Sequence, residues 1–183
     1  MQKRIGVDID GVISDIARHI IDYSAREFAC LIAPEQISSD RMETCTELTQ
    51  EQLIIIFTDP KFWKTLPVVP SSHEWLRRIR EFGWEVILVT DRFWYPQIEE
   101  DTRDWLASND IPFDDLEFAR RAEKPTRARD LGITMFVEDQ LSNANTLAEV
   151  CETVFLVDRT YNQGSTASNV HRIINCLDCL STL

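Results

Sequence analysis

The sequence predicts an α/β protein built on a parallel sheet with helices on both faces. Three observations predict it. Short apolar runs alternate with segments of helical periodicity along the whole chain. The runs are apolar almost throughout instead of alternating, as expected of strands covered on both faces. Capping and turn residues separate the two kinds of segment.

Residues 4–9 form the first strand, opened by Arg4-Ile5-Gly6-Val7. Residues 14–30 carry Ile16, Ile20, Tyr23 and Phe28 at helical spacing. Residues 31–70 mix polar and apolar types, with helices expected near Gln50–Phe57 and Lys61–Leu66. Pro67, Pro70 and Ser71 close that region. Ser71 and Glu74 fit a capping box for a helix to about Phe82, stopped by Gly83.

Glu85-Val86-Ile87-Leu88-Val89-Thr90 reads as the second strand, and Pro96 suits the first turn of a helix over Tyr95–Ser108. Leu116–Ala119 is a third strand, and Pro125 opens a helix to Leu131. Ile133–Glu138 is the fourth strand, Leu141–Val150 a helix and Val154–Val157 the fifth strand. A polar loop over Asp158–Thr166 precedes a last helix to about Leu180.

The chain has 183 residues, enough for one sizeable core plus a small accessory element. Its net charge of -12 repels phosphate backbones, so nucleic acid is not an expected partner. No stretch is apolar for long enough to span a bilayer, so no membrane is expected either. Met1-Gln2-Lys3-Arg4 runs straight into a strand, and the five cysteines are scattered, which points to a cytoplasmic protein with free thiols. Cys176 and Cys179 form a CxxC without the second pair or the nearby histidines that a zinc site needs.

The chemistry gathers at strand ends. Asp8-Ile9-Asp10-Gly11-Val12 stands where the first strand runs out. In a strand Asp8 and Asp10 share one side, because side chains alternate with period two, and Gly11 permits a tight exit. Like charges held together need a cation or a shared proton. A hard ion such as Mg2+ with oxygen ligands answers that need. Read alone, the same residues also describe a loop with two solvated acids and a helix cap. Thr90 ends the second strand, Glu138 and Asp139 end the fourth, and Lys124 starts the helix before it. Ligands of open α/β sheets bind outside the carboxyl ends of the strands, so these residues are expected in one crevice.

This ordered set resembles the four motifs of the haloacid dehalogenase superfamily. Asp8-Ile9-Asp10-Gly11-Val12 matches the first motif, Thr90 the hydroxyl of the second, Lys124 the third, and Glu138-Asp139 the acidic fourth. Within it the chain is most similar to the 5'(3')-deoxyribonucleotidase group and its bacterial relatives. The features are the insertion after the first motif, Phe62-Trp63 before Leu66-Pro67, and Leu156-Val157-Asp158-Arg159-Thr160-Tyr161-Asn162 after the fifth strand.

The resemblance implies a haloacid-dehalogenase-like Rossmannoid sheet of order 3-2-1-4-5. Residues 1–14 and 71–183 would form the core and residues 15–70 a small helical cap. It implies a phosphomonoester hydrolase, with a nucleoside monophosphate as the leading substrate and a sugar phosphate or other small phosphorylated metabolite as the alternative. A homodimer is compatible with it. Asp8 would attack phosphorus, and Asp10 would serve as general acid and base. Asp8, the Asp10 carbonyl and Asp139 would hold Mg2+, with Glu138 secondary. Thr90 and Lys124 would bind phosphate oxygens. Arg92, and less strongly Arg120 and Arg121, are candidates for substrate contact, set against a reading as exposed balancing charges. Phe62 and Trp63 are candidates for stacking on a base, set against a reading as core of the insertion.

Two positions depart from the group. Asp91 follows Thr90 where a small residue is usual, so it should turn away or pair with Arg92. Glu138 replaces an aspartate, and Asn143 is a candidate partner for the metal's surroundings. A fold-retaining binding protein is the reading from another class; it would not require both Asp8 and Asp10.

Overall fold

In a computed structural model that describes residues 2–39 and 42–182, the apolar runs form a six-stranded, all-parallel sheet of order β3-β2-β1-β4-β5-β6. The strands are β1 (Lys3–Val7), β2 (Trp84–Thr90), β3 (Asp115–Phe118), β4 (Met135–Glu138), β5 (Thr153–Val157) and β6 (Val170–Ile173). Met1, at the start of the expected core, and residues 40 and 41 of the expected cap lie outside the described residues, as does residue 183.

Strand β1 is central because its side chains are covered from both sides. Ile5 and Val7 face one core layer with Val86, Leu88, Val137 and Phe155. Ile87, Val89, Phe136 and Leu156 face the other. Gly6 lies against the Phe136 ring, and any larger residue there would overlap it. Helices α5 (Ser72–Glu81) and α6 (Ile98–Ser108) cover the first layer, and α7 (Lys124–Asp130) and α8 (Leu141–Leu147) the second. Among the described residues no helix is long and apolar enough to cross a membrane.

Between β1 and α5 the chain makes α1 (Ile16–Phe28), α2 (Met42–Cys45), α3 (Gln50–Thr58) and α4 (Pro60–Lys64). It leaves and returns side by side: Asp15 N–H donates to Pro67 O at 2.9 Å, and Val69 N–H to Ile13 O at 2.8 Å. Thr49 and Gln52 cap α3 reciprocally, and the Asp59 carboxylate caps α4 through Lys61 N–H. Phe62 and Trp63 share one apolar cluster with Trp75, Leu88 and Trp105. This segment therefore packs continuously onto the first layer.

The structure corrects several expectations. The expected last helix is β6 followed by a 3-10 turn over Cys176–Thr182. Val170 and Ile173 have helical spacing, but a strand there covers the open edge of β5. Ser71 precedes α5 without a side-chain capping bond, and α6 starts at Ile98, two residues beyond Pro96. The four-residue helix α2 is too short to leave a periodic signal. Cys176 and Cys179 are buried under α5, where Cys179 Sγ accepts from Trp75 Nε1 at 2.9 Å. Burial pushes their thiols up to about 12 and about 11, so they are inert core residues at neutral pH.

Candidate active site

The parallel register brings the ends of β1, β2 and β4 together. Val7 pairs with Leu88 on one side and Val137 on the other, and Asp8 N–H continues the ladder to Val137 O at 3.0 Å. Asp8, Thr90, Glu138 and Asp139 therefore emerge at one level. Asp8 and Asp139, with Asp10 and Lys124, line a cavity of about 400 Å³, a size suited to a small organic ligand.

Lys124 is the buried cation of this group. As the first residue of α7, with Pro125 setting the turn, it reaches Asp8 Oδ2 and Glu138 Oε2, each at 3.0 Å. Burial alone would neutralise the amine, but the two carboxylates outweigh it and hold the lysine charged. Burial likewise pushes Glu138 up, yet Lys124 and the neighbouring Asp139 side chain bring its carboxyl under the usual range. Its other oxygen accepts from the N–H groups of Asp139 and Gln140, both at 3.1 Å. Every oxygen of Glu138 is thus engaged.

Asp8 and Asp139 are different. Burial, then repulsion from Glu138, raises the Asp8 carboxyl well above its ordinary value, with Lys124 opposing. Burial, then Glu138 and Asp8, raises Asp139 in the same direction. Asp139 Oδ2 accepts from the Tyr161 hydroxyl at 2.5 Å, while Oδ1 is buried with no hydrogen-bond partner among the described residues. Ligand atoms of Asp8, Glu138 and Asp139 lie within 4.8 Å of one another. Gly11, at φ 86°, passes so close to Asp139 that a Cβ would overlap the carboxylate. Crowded acids, an unpaired carboxylate oxygen and all-oxygen donors fit a hard divalent cation.

Thr90 is buried, and its hydroxyl also lacks a partner among the described residues. Asn143 is buried and lines the cavity. Asp91 turns to Arg121, whose N–H donates to it at 3.3 Å, and does not pair with Arg92.

Arg92 is not placed for substrate contact. It is completely buried and forks onto Asp10, Nε to Oδ2 at 2.8 Å and Nη2 to Oδ1 at 2.6 Å. Phe62 is also fully buried, packed on His19, Tyr23 and Phe57, outside the cavity wall. Trp63 touches the cavity but is 1% exposed, with its ring against Arg92. The aromatic pair that does face the cavity is Phe57 and Trp94, stacked at 4.6 Å and 18°. Trp94 keeps 47% of its surface exposed.

Sequence reasoning missed that pair, as well as the tie between Tyr161 and Asp139. It also missed Asn162, whose Nδ2 donates to Asp139 O at 2.6 Å and Val157 O at 2.7 Å. Tyr161 and Asn162 both belong to the Leu156–Asn162 motif, and the signal for their role is its place after the fifth strand, beside the fourth.

Residues 2–175 match the family model described as "5' nucleotidase, deoxy (Pyrimidine), cytosolic type C protein". The chain belongs to this nucleotidase family. It is 29% identical to a protein of Halalkalibacterium halodurans named "Putative nucleotidase", over 94% of this chain and 88% of that one. Its fold is similar to a haloacid dehalogenase-like hydrolase of Streptococcus pneumoniae, with a TM-score of 0.68, 12% identity and coverage of 98% and 97%. A D,D-heptose 1,7-bisphosphate phosphatase of B. bronchiseptica, solved with magnesium and phosphate, has a TM-score of 0.59, 15% identity and 99% coverage of both chains. The family thus makes this chain a phosphatase of the nucleotidase type on a haloacid-dehalogenase-like fold.

Proposed function

We propose that the protein is a Mg2+-dependent phosphatase acting on nucleoside or deoxynucleoside monophosphates through an aspartyl-phosphate on Asp8. The observation that carries this reading is the meeting of Asp8, Asp10, Lys124 and Asp139 at the strand ends, opposite the Phe57–Trp94 wall of one cavity.

Asp8, Asp139 and the Asp10 backbone carbonyl would hold the ion, while Glu138 anchors Lys124. When bound, Mg2+ neutralises phosphate charge and supports the in-line displacement. The Asp8 carboxylate attacks phosphorus, and the ester P–O bond breaks. Asp10 gives its proton to the leaving oxygen. Water then attacks the phosphoryl group, Asp10 takes its proton, and the bond to Asp8 breaks to release inorganic phosphate. The sum is a phosphomonoester and water going to an alcohol and phosphate. Lys124 and the Thr90 hydroxyl bind phosphoryl oxygens, which gives Thr90 the partner it otherwise lacks.

The core groups recognise phosphate alone. Selection falls to residues 15–70, which serve as the cap, together with Trp94 from the loop after β2. Trp94, supported from behind by Phe57, is the platform for a flat base. This assigns to Phe57 and Trp94 the stacking role first considered for Phe62 and Trp63.

The test is phosphate release from a panel of nucleotides and sugar phosphates with and without Mg2+, together with intact-mass analysis of rapidly quenched Asp10→Asn enzyme. Mg2+-dependent turnover of nucleotides and a phosphate-mass adduct that Asp8→Asn abolishes are expected. Turnover undiminished by chelation, or full activity in Asp8→Asn, would overturn the reading.

A further inference from the structure

We propose that Arg92 is a positioning residue for Asp10, fixing which carboxylate oxygen carries the transferred proton. The inference deepens the function proposed above and rests on Asp10 being the general acid and base.

The geometry is a closed clamp. Arg92 is 0% exposed, while the Asp10 side chain keeps 21% of its surface on the cavity side. Nε and Nη2 fork onto Asp10 Oδ2 and Oδ1 at 2.8 and 2.6 Å. Such a fork fixes the plane of a carboxylate, which a lysine's point charge cannot do. The guanidinium is itself held. Nη1 donates to Thr102 Oγ1 at 3.3 Å, and the group lies 4.9 Å from the Trp63 ring and 5.4 Å from the Trp105 ring. Trp63 comes from the helical insertion and Trp105 from α6, and Trp105 Nε1 donates to Leu66 O at 2.9 Å, which ties the two together.

The clamp also discriminates between the two oxygens. Ser14 Oγ donates to Asp10 Oδ1 at 2.8 Å, so Oδ1 accepts two bonds and Oδ2 one. A carboxylate oxygen has about two lone-pair sites. Oδ2 therefore keeps one free, and the proton that passes to the leaving oxygen is assigned to Oδ2. A nucleoside leaves as an alkoxide, a poor leaving group, so breaking its P–O bond depends strongly on correct placement of that proton.

The experiment compares kcat/KM for phenyl phosphate, a poor leaving group, and 2,4-dinitrophenyl phosphate, which departs without a proton. This parameter reports the steps through ester cleavage and leaves out hydrolysis of the phosphoenzyme. Asp10→Asn should raise the dinitrophenyl-to-phenyl ratio about a hundredfold or more, the scale of a lost general acid. Arg92→Lys, which keeps the charge but loses the fork, should raise it roughly ten- to a hundredfold. Ser14→Ala, which leaves the tryptophan sandwich intact, should raise it about two- to tenfold, as one lost hydrogen bond allows. Damage to the fold alone would lower both substrates together and leave the ratio where it was. If the ratio moves in Asp10→Asn but stays unchanged in folded Arg92→Lys and Ser14→Ala, positioning is overturned and the function stands. If Asp10→Asn leaves the ratio unchanged, the general-acid assignment itself fails. Should Arg92→Lys not fold, Ser14→Ala decides by the same criterion.

Discussion

The two ends of the cavity are built on opposite principles. At the sheet end, Asp8, Lys124 and Glu138 are tied to one another, Asp10 to Arg92 and Ser14, and Asp139 to Tyr161, and Lys124 and Glu138 are sealed from solvent. At the apolar end, Phe57 and Ile54 of α3 and Trp94 of the loop after β2 present apolar surface, with Ile54 60% and Trp94 47% exposed. The difference separates two tasks. Charge that must stabilise a transition state has to be fixed before substrate arrives, because reorientation at that moment is costly. A surface that only has to accept a flat ring needs area and little geometry.

The sharpest way to break this comparison is at the fixed end. Asp8→Asn keeps the shape but removes the attacking charge and one of the two acceptors that serve Ile9 N–H and Lys124. Hydrolysis of the best nucleotide should fall by at least about a thousandfold, since nothing nearby replaces a covalent nucleophile. The variant should still fold, because Glu138 keeps its bond to Lys124. A folded variant with near wild-type kcat would show that Asp8 is not the nucleophile.

Glu138→Ala tests whether the fixed end is held by its own charges. Lys124 would keep only Asp8, and two buried N–H groups would lose their acceptor. Breaking a buried pair in this way costs about 3–5 kcal/mol. Denaturant unfolding should show a loss of that size, and added Mg2+ should not restore activity. Full recovery of activity in excess Mg2+ would mean that Glu138 acts chiefly as a metal ligand.

The loose end predicts a smaller and more selective effect. Trp94→Leu should lower kcat/KM for nucleotides roughly five- to a hundredfold, as loss of about 1–3 kcal/mol of stacking implies. Turnover of p-nitrophenyl phosphate should barely change. Phe62→Leu should instead cost stability and leave the nucleotide preference intact, since Phe62 is fully buried. Equal losses on both substrates in Trp94→Leu would assign Trp94 to closure of the site and away from base recognition.

The sequence carried more of the fixed end than of the loose end. Strands β1, β2, β4 and β5 are apolar runs, and motif spacing places Asp8, Thr90 and Asp139 at strand ends and Lys124 at the start of α7 whatever the details of packing. Partners were harder to read. Arg92 is 82 positions from Asp10, and Tyr161 is 22 from Asp139, so neither contact follows from local pattern. Arg92 also looked like a surface charge, because arginine seldom sits wholly inside a protein unless it is paired. The roles of Phe57, Phe62 and Trp63 depended on the rotation of two short helices, for which one apolar turn gives no phase. Strand β6 was hidden because four residues with apolar ends suit either period.

The smallest effect tests the metal without turnover. In the metal-free protein Asp8 and Asp139 have carboxyls raised above their ordinary value by burial and then by repulsion from Glu138. A raised carboxyl binds its proton more tightly folded than unfolded. These groups therefore cost stability as pH rises from the ordinary carboxylate range up to their folded values, and the whole cost is present above those values. Mg2+ requires the ionised forms, so ion and proton compete for the same oxygens. Saturating Mg2+ should add about 1–2 kcal/mol at pH 8, roughly 2–8 °C in melting temperature for a chain of this size. The increment should shrink steadily toward pH 5. Asp139→Asn should abolish it and at the same time raise the metal-free melting temperature, because one of the crowded charges is gone. A Mg2+ increment that persists undiminished at pH 5, or survives in Asp139→Asn, would place the ion somewhere other than this carboxylate cluster.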